Sequence, residues 1–228
     1  MDRGMVRARH MGALFVFCFV FSAPLWALPI FINEFHYDNL GLDVDEAVEI
    51  AGPAGTDITD WRLLFYDGNR GGVYKSFLLD GLLIDDGSGM GFSVAHVKGI
   101  QNGAPDGVAL VDAQGVLLQL LSYEGVLEAL SEAAAGIFSS DIGVEEGGST
   151  EVGYSLQLTG QGSQYEQFSW TTGKATFGGV NIGQTFQART QPTSVPEPGA
   201  LLLMLAGILL LVSSTKRLPD CLGPVSEA

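Results

Sequence analysis

The chain is poor in cysteine, histidine and basic residues. Its 228 residues include two cysteines, Cys18 and Cys221, and three histidines. Both cysteines lie near the ends of the sequence, which excludes a disulfide or thiol chemistry in its central part. Eleven lysines and arginines stand against 26 aspartates and glutamates, a formal net charge of −15. Because such an acidic protein repels phosphate backbones, we expect no nucleic-acid partner.

The N-terminal apolar run is too short for a stable membrane anchor. Three arginines within the first nine residues precede an apolar run of 10 residues, 12–21. Small residues follow, and this order is typical of a secretory signal peptide. We predict a signal peptide over residues 1–27, cleaved after Ala27 or alternatively after Ala23, with the Sec export machinery as a partner. A retained N-terminal anchor is the competing interpretation.

A proline-flanked acid lies near the other end of the chain. Val195, Pro196, Glu197 and Pro198 are followed at once by a second apolar run. Each proline fixes φ near about −65° and lacks an N–H, so the residues around Glu197 are held extended and separate from the helix that follows. A peptidase could grip an accessible extended segment of this kind.

The second apolar run predicts a short transmembrane helix. It extends from Gly199 to Val212, 14 residues, or about 21 Å of helix against a hydrocarbon core of roughly 30 Å, and residues 213–215 bring it to a marginal span. Lys216 and Arg217 form a basic stop that favours the cytoplasmic side, so the upstream chain should face outward. A buried core helix is the alternative interpretation.

Residues 191–228 together resemble a PEP-CTERM sorting signal of exported proteins in biofilm-forming Gram-negative bacteria. The resemblance implies membrane insertion, then recognition by an exosortase, a membrane cysteine peptidase that acts at Pro-Glu-Pro. It also implies passage through the inner membrane to the cell surface or extracellular matrix, with extracellular polysaccharide as a partner. The 11 residues 218–228 form a longer tail than such chains usually carry.

Residues 28–190 are left as one domain with room for a core. Short runs rich in Val, Ile, Phe, Tyr and Trp alternate with Gly, Asp and Asn, which predicts an all-β sandwich or barrel. Glycine-containing loops at 67–72 and 112–115 predict hairpins, and the Ala, Leu and Glu content of 125–135 predicts one short helix. The predicted strands are 29–35, 47–50, 61–66, 73–79, 91–95, 108–111, 116–122, 154–158 and 167–171.

Part of this domain resembles the opening of a lamin-tail domain, an immunoglobulin-like β-sandwich. The resemblance rests on Ile32-Asn33-Glu34, Asp38-Asn39, residues 46–50 (EAVEI) and residues 55–63 (GTDITDWRL), and extends more weakly into 101–112. Ala47 and Asp60 depart from it, since an aromatic residue and a glycine are usual there. The implied fold is an immunoglobulin-like β-sandwich, flanked by the signal peptide and the transmembrane sorting helix.

An acidic loop is the candidate metal site. Asp38, Asp43, Asp45 and Glu46 lie close together in sequence, and Ca²⁺ binds to several hard oxygen ligands of this kind. The spacing lacks the EF-hand pattern, and a solvated acidic loop is the alternative. His36 with Asp38 is a candidate partial metal or base pair.

No catalytic motif stands out, since glycine-rich stretches lack both a nucleophile-elbow serine and a phosphate-loop lysine. We therefore expect an exported, non-catalytic surface or matrix protein without a cofactor, Ca²⁺ excepted. A carbohydrate- or protein-binding adhesion module, assisted by Ca²⁺, is the alternative. A nuclease-associated accessory domain is the third hypothesis, because lamin-tail domains accompany secreted nucleases in some bacterial proteins.

Overall fold

The structure is a computed structural model that describes residues 30–103, 105–187 and 207. The chain divides into two compact units, Met1–Phe186 and Gln187–Ala228. In the second unit only Gln187 and Gly207, the latter helical, are described. The predicted signal peptide and the rest of the sorting signal, including its Pro-Glu-Pro motif and basic stop, lie outside the described residues. Among the described residues, no helix is long and apolar enough to cross a membrane.

The described residues form 14 strands and two short 3-10 helices, Glu132–Ala134 and Tyr165–Gln167. Each of the nine predicted runs overlaps a strand, which confirms the all-β prediction. The strands are β1 (Phe31–His36), β2 (Ala47–Pro53), β3 (Arg62–Asp67), β4 (Gly72–Leu78), β5 (Ile84–Asp85), β6 (Met90–His96), β7 (Asp106–Val111), β8 (Leu117–Tyr123), β9 (Glu128–Ala129), β10 (Ile137–Phe138), β11 (Ser140–Asp141), β12 (Tyr154–Gly162), β13 (Phe168–Lys174) and β14 (Gln184–Phe186).

Two sheets make up the sandwich. The seven-stranded sheet has the order β13-β12-β1-β2-β6-β5, with β14 also paired to β12, and the five-stranded sheet has the order β11-β8-β7-β3-β4. β9 and β10 form a separate two-stranded ribbon. The predicted hairpins are confirmed, because β3 pairs with β4 and β7 with β8, in both cases antiparallel.

The main core lies between the two sheets. Ile32 and Ile50 from the seven-stranded sheet and Phe65, Leu110 and Leu121 from the five-stranded sheet belong to one buried apolar cluster. Successive residues of a strand point to opposite faces, so every second residue of these strands enters the core. Each such side chain contributes about 1.5–3 kcal/mol when it is fully buried.

A bulge in β1 decides which of its residues face the core. The register of β1 against β2 shifts between Ile32 and Glu34, so Asn33 is an extra residue in the ladder. In a regular strand Ile32 and Phe35 would lie on opposite faces, because they are three positions apart. With the bulge, both enter the main core, and Glu34 lies on the other face of the sheet.

The predicted helix over 125–135 is wrong. This segment contains β9, which pairs with β10, and a three-residue 3-10 helix. Ala129 and Ala134 pack in a second apolar cluster with residues of the five-stranded sheet, and Glu132 has a φ of 56°, outside the α-helical region. The alanines that suggested a helix serve instead as small packing residues against that sheet.

Residues 175–186, called the closing segment below, follow β13 and include β14. The Phe186 ring lies 5.4 Å from Phe168, 6.0 Å from Phe92 and 6.4 Å from Phe31, measured between centroids. Phe31 and Phe92 belong to a third apolar cluster, and their alternation with Ile32 places them on the face that is turned away from the main core. The closing segment therefore covers the outer face of the seven-stranded sheet.

Candidate functional site

His36, at the end of β1, is held between oxygen atoms. Its Nδ1 lies 2.8 Å from Oε1 of Glu146, and its Nε2 lies 3.0 Å from the Val44 carbonyl oxygen and 3.2 Å from Oδ1 of Asn39. The Asn39 side-chain nitrogen donates elsewhere, to the Leu40 and Leu42 carbonyls, so its oxygen faces the ring. Because acceptors face both ring nitrogens, the arrangement favours the imidazolium form.

Electrostatics agree with a charged pair. Burial alone lowers the pKa of His36, but the hydrogen bond to Glu146, the charge of that carboxylate and the two remaining acceptors outweigh it, so the pKa is raised above its usual value. The side chains of His36 and Glu146 are buried. Asp38, the partner that the sequence suggested for His36, is not bonded to the ring, and Glu146 occupies that role from 110 residues away.

Glu146 also fixes the backbone at the end of β1. Its Oε2 accepts hydrogen bonds from the N–H of Tyr37 at 2.7 Å and of Asp38 at 3.1 Å. Its own N–H donates to the Tyr37 hydroxyl at 2.8 Å, and that hydroxyl lies 3.0 Å from Oε1 of Glu124. Glu146 thus clamps its loop onto β1, and its distance in sequence explains why no local pattern revealed it.

The predicted calcium ligands divide into two groups. Both carboxylate oxygens of Glu46 accept backbone N–H groups, from Gly99 and Ile100, each at 2.6 Å. Glu46 therefore closes a loop of the fold instead of facing its predicted neighbours. Asp45 is exposed and has a φ of 61°, a left-handed turn conformation.

Asp38 and Asp43 are the two predicted ligands that the structure brings together. Burial raises the pKa of Asp38, and the hydrogen bond and charge of the neighbouring Asp43 carboxylate raise it further. Within the described ranges, no group of three or more histidine, cysteine, aspartate or glutamate side chains is placed to hold a metal ion. The calcium hypothesis thus rests on this pair, and it stays a prediction.

A second polar cluster lies beneath the closing segment. Glu34 of β1 and Glu49 of β2 are register partners and both are fully buried. Glu34 accepts from the N–H of Thr176 at 2.8 Å, from the Thr176 hydroxyl at 2.9 Å, and from the Ser155 hydroxyl. Two like charges directly opposite each other on neighbouring strands are unfavourable, so the protonation of this pair matters for the fold.

Glu49 anchors the closing segment further along. Its Oε1 accepts from Nδ2 of Asn33 at 2.8 Å, and its Oε2 accepts from the N–H of Gly178. Burial raises the pKa of Glu49 to about 8, opposed by these hydrogen bonds and supported by the charge of Glu34. Burial also raises the pKa of Glu34. Both carboxyls therefore favour a proton more strongly than an exposed glutamate does.

Amide side chains complete the cluster. Asn181 donates to the carbonyl oxygens of Asn33 at 3.1 Å and Leu158 at 2.9 Å, and Gln184 donates to Oδ1 of Asn33 at 2.7 Å. Every buried side-chain nitrogen or oxygen of the described residues has a hydrogen-bond partner. Asn33, the bulge residue, therefore joins β1 to the closing segment as well as setting the register of β1.

The described residues define an all-β protein of the sandwich class. It has two buried polar clusters, and each is formed by residues that are far apart in the sequence. Comparison of the chain with protein-family models, with curated proteins and with solved structures gives no match.

Proposed function

We propose that the chain is an exported, non-catalytic surface or matrix protein whose immunoglobulin-like, lamin-tail-like sandwich is delivered by a PEP-CTERM signal and an exosortase. The observation that carries the proposal is how the reactive side chains are used. His36 and Glu146 hold the end of β1, and Glu46, Glu34 and Glu49 hold loops and the closing segment. These groups are occupied in maintaining the fold, as expected of a module that is displayed on a surface.

Composition supports the same proposal. The net charge of −15 favours solubility outside the cell. The central part has no cysteine, so its stability comes from packing and hydrogen bonds, without dependence on the redox state of the compartment.

Cell fractionation with mass analysis tests the sorting step. In a host with the exosortase, we expect a mature protein that lacks residues 1–27 and is processed near Glu197, recovered outside the inner membrane. In the same host without the exosortase, we expect the C-terminal signal to be retained and the protein to stay in the inner membrane. Unprocessed protein in the inner membrane of both hosts would contradict the proposal, and Glu197→Ala provides a matched variant in the first host.

A second candidate, a Ca²⁺-assisted adhesion module for a protein or carbohydrate partner, is favoured by the loop after β1. Leu40, Leu42 and Val44 are 63%, 86% and 41% exposed, although all three are large apolar residues. Asp38 and Asp43 lie in the same loop. Exposed apolar side chains grouped in one loop are typical of contact surfaces.

The second candidate predicts that Ca²⁺ releases heat in a calorimetric titration of the full chain and raises its Tm. Asp43→Asn should abolish both effects, because it removes a charged ligand, whereas Asp80→Asn, an exposed aspartate elsewhere, should leave them unchanged. If Ca²⁺ releases no heat and leaves the Tm of the wild-type chain unchanged, the hypothesis that Ca²⁺ assists binding is wrong.

A further inference from the structure

β13 is the one long and regular sheet edge in the described part of the chain. Four strands end the two sheets, β13 and β5 in the larger sheet and β4 and β11 in the smaller. β5 and β11 have two residues each. β4 has a register shift against β3, and such a bulge protects an edge from further pairing. β13 pairs with β12 without a shift over all seven of its residues.

The direction of the backbone groups of β13 follows from a hydrogen bond just beyond its end. The N–H of Ala175 donates to the Gly153 carbonyl oxygen at 2.9 Å, in continuation of the ladder with β12. Bonded and non-bonded pairs alternate along an antiparallel ladder. Every second residue therefore bonds to β12, and the others direct their N–H and carbonyl groups to the open side. These outward residues are Phe168, Trp170, Thr172 and Lys174.

Two of the outward groups are used within the chain. The N–H of Phe168 donates to the Tyr165 carbonyl oxygen, and the Lys174 carbonyl oxygen accepts from Nε2 of Gln157 at 2.8 Å. Four residues carry eight outward groups, so six remain without a partner among the described residues. The six are the N–H and carbonyl groups of Trp170 and Thr172, the Phe168 carbonyl oxygen and the Lys174 N–H.

The unused groups are complementary to a second copy of the same strand. When two copies of β13 lie antiparallel with Thr171 opposite Thr171, Trp170 of each copy faces Thr172 of the other, and each pair exchanges two hydrogen bonds. Phe168 of each copy faces Lys174 of the other, where the unused N–H meets the unused carbonyl oxygen. The two groups that are used within the chain also face each other in this register. Every unused group therefore finds a partner.

Charges near the ends of β13 agree with this register. Lys174 and Glu166 are both exposed, and neither belongs to an ion pair of the described residues. In the antiparallel arrangement Lys174 of one copy reaches the turn before β13 of the other copy, where Glu166 lies. Opposite charges thus meet at both ends of the contact, and two threonines form a favourable cross-strand pair at its centre.

We propose that the protein forms a symmetric dimer through β13, in which the two seven-stranded sheets join edge to edge. A self-complementary contact of this kind has closed two-fold symmetry, so association stops at two copies. It also covers an edge that would otherwise be a template for strands of unrelated chains. This inference does not depend on how the protein is sorted.

Sedimentation of the purified full chain tests the dimer, in about 0.15 M salt to screen the repulsion between two acidic copies. We expect a monomer–dimer equilibrium in a concentration series up to about 0.1 mM, a hundred times a micromolar dissociation constant. The N–H groups of Trp170 and Thr172 should exchange hydrogen slowly in the dimer and quickly after dilution. A chain that stays monomeric throughout overturns the proposal and leaves the edge to a strand of another protein. A dimer in which these two groups exchange quickly overturns it as well.

A matched pair of variants at Thr172 separates pairing of the edge from other contacts. Thr172→Pro removes an outward N–H that takes no part in the bonds to β12, and proline is tolerated at such edge positions. This variant should abolish the dimer. Thr172→Val keeps the N–H and should retain the dimer. Circular dichroism establishes that each variant is folded, and a dimer that persists in folded Thr172→Pro contradicts the proposal.

A charge exchange tests the register without changing the backbone. Lys174→Glu should raise the dissociation constant of the dimer about tenfold, because two attractive contacts become repulsive. Glu166→Lys should have the same effect. The double variant exchanges the two charges and should restore the wild-type dissociation constant. A double variant that is as weak as the single variants, or a Lys174→Glu chain with wild-type affinity, would show that the two strands do not pair in this register.

Discussion

The free energy of unfolding is expected to fall as the pH rises from 4.5 to about 8, the interval between the ordinary pKa of Glu49 and its pKa in the folded protein. Within this interval the folded state binds more protons than the unfolded state, so stability decreases by up to about 1.4 kcal/mol per pH unit for this one group. Below 4.5 the contribution is fully present, and above about 8 it is lost.

Two further groups act in the same direction. The pKa of Glu34 is also raised, by burial, so its contribution is likewise lost as the pH rises. The pKa of His36 is raised above 6.5, and its contribution is present below 6.5 and disappears as the pH passes through the folded value. The three groups together favour the folded state on the acidic side of neutrality.

Urea unfolding at a series of pH values measures this effect. Glu49→Gln should flatten the slope through the interval, because a neutral amide cannot titrate, although it loses one of the acceptors for the N–H groups of Asn33 and Gly178. Glu151→Gln, at an exposed position, should leave the slope as in the wild type. A wild-type stability that rises across the interval would show that the buried carboxyls do not govern it.

Glu146→Ala is expected to cost about 3–5 kcal/mol of unfolding free energy, the range for a buried ion pair from which one partner is removed. The substitution leaves the His36 ring without its carboxylate and the N–H groups of Tyr37 and Asp38 without their acceptor. The loop that Glu146 clamps onto β1 should then detach and expose the end of the strand.

Glu145→Ala is the matched control for this loss. Glu145 is adjacent in sequence and has the same side chain, but it is exposed, so we expect a change within about 0.5 kcal/mol. The ring of His36, followed by NMR, should titrate at lower pH in Glu146→Ala and at an unchanged pH in the control. Equal stability losses in the two variants would refute the clamp.

Nine of the 14 strands could be predicted from the sequence, because short apolar or alternating runs are separated by glycine, aspartate and asparagine. The other five, β5, β9, β10, β11 and β14, have only two or three residues each, too few to show such a pattern. The helix over 125–135 was predicted wrongly, because the alanines of this segment have a high helix propensity. What decides its structure is burial against the five-stranded sheet, together with the pairing of Ala129 with Ile137. Neither is visible in local composition.

The sequence predicted only those contacts of the candidate site that join residues close together in the chain. Asp38 and Asp43, five positions apart, do meet. Glu146 and His36 meet across 110 residues, and Thr176 reaches Glu34 across 142, so no spacing rule could pair them. Glu34 and Glu49 face each other because of the bulge at Asn33, and a bulge is a property of the ladder, which a single strand does not reveal.

The rings of Phe31 and Phe186 lie 6.4 Å apart, measured between centroids. The start of the first strand and the end of the last strand of the sandwich are therefore close together. β1 is antiparallel to β12 and β14 is parallel to it, so the first and last strands run in opposite directions and their outer ends meet. A domain whose two ends are close together can be inserted in another chain, or joined to it, with little strain. Tethered there, it presents the His36 end of β1, about 17 Å away along the strand, to its surroundings.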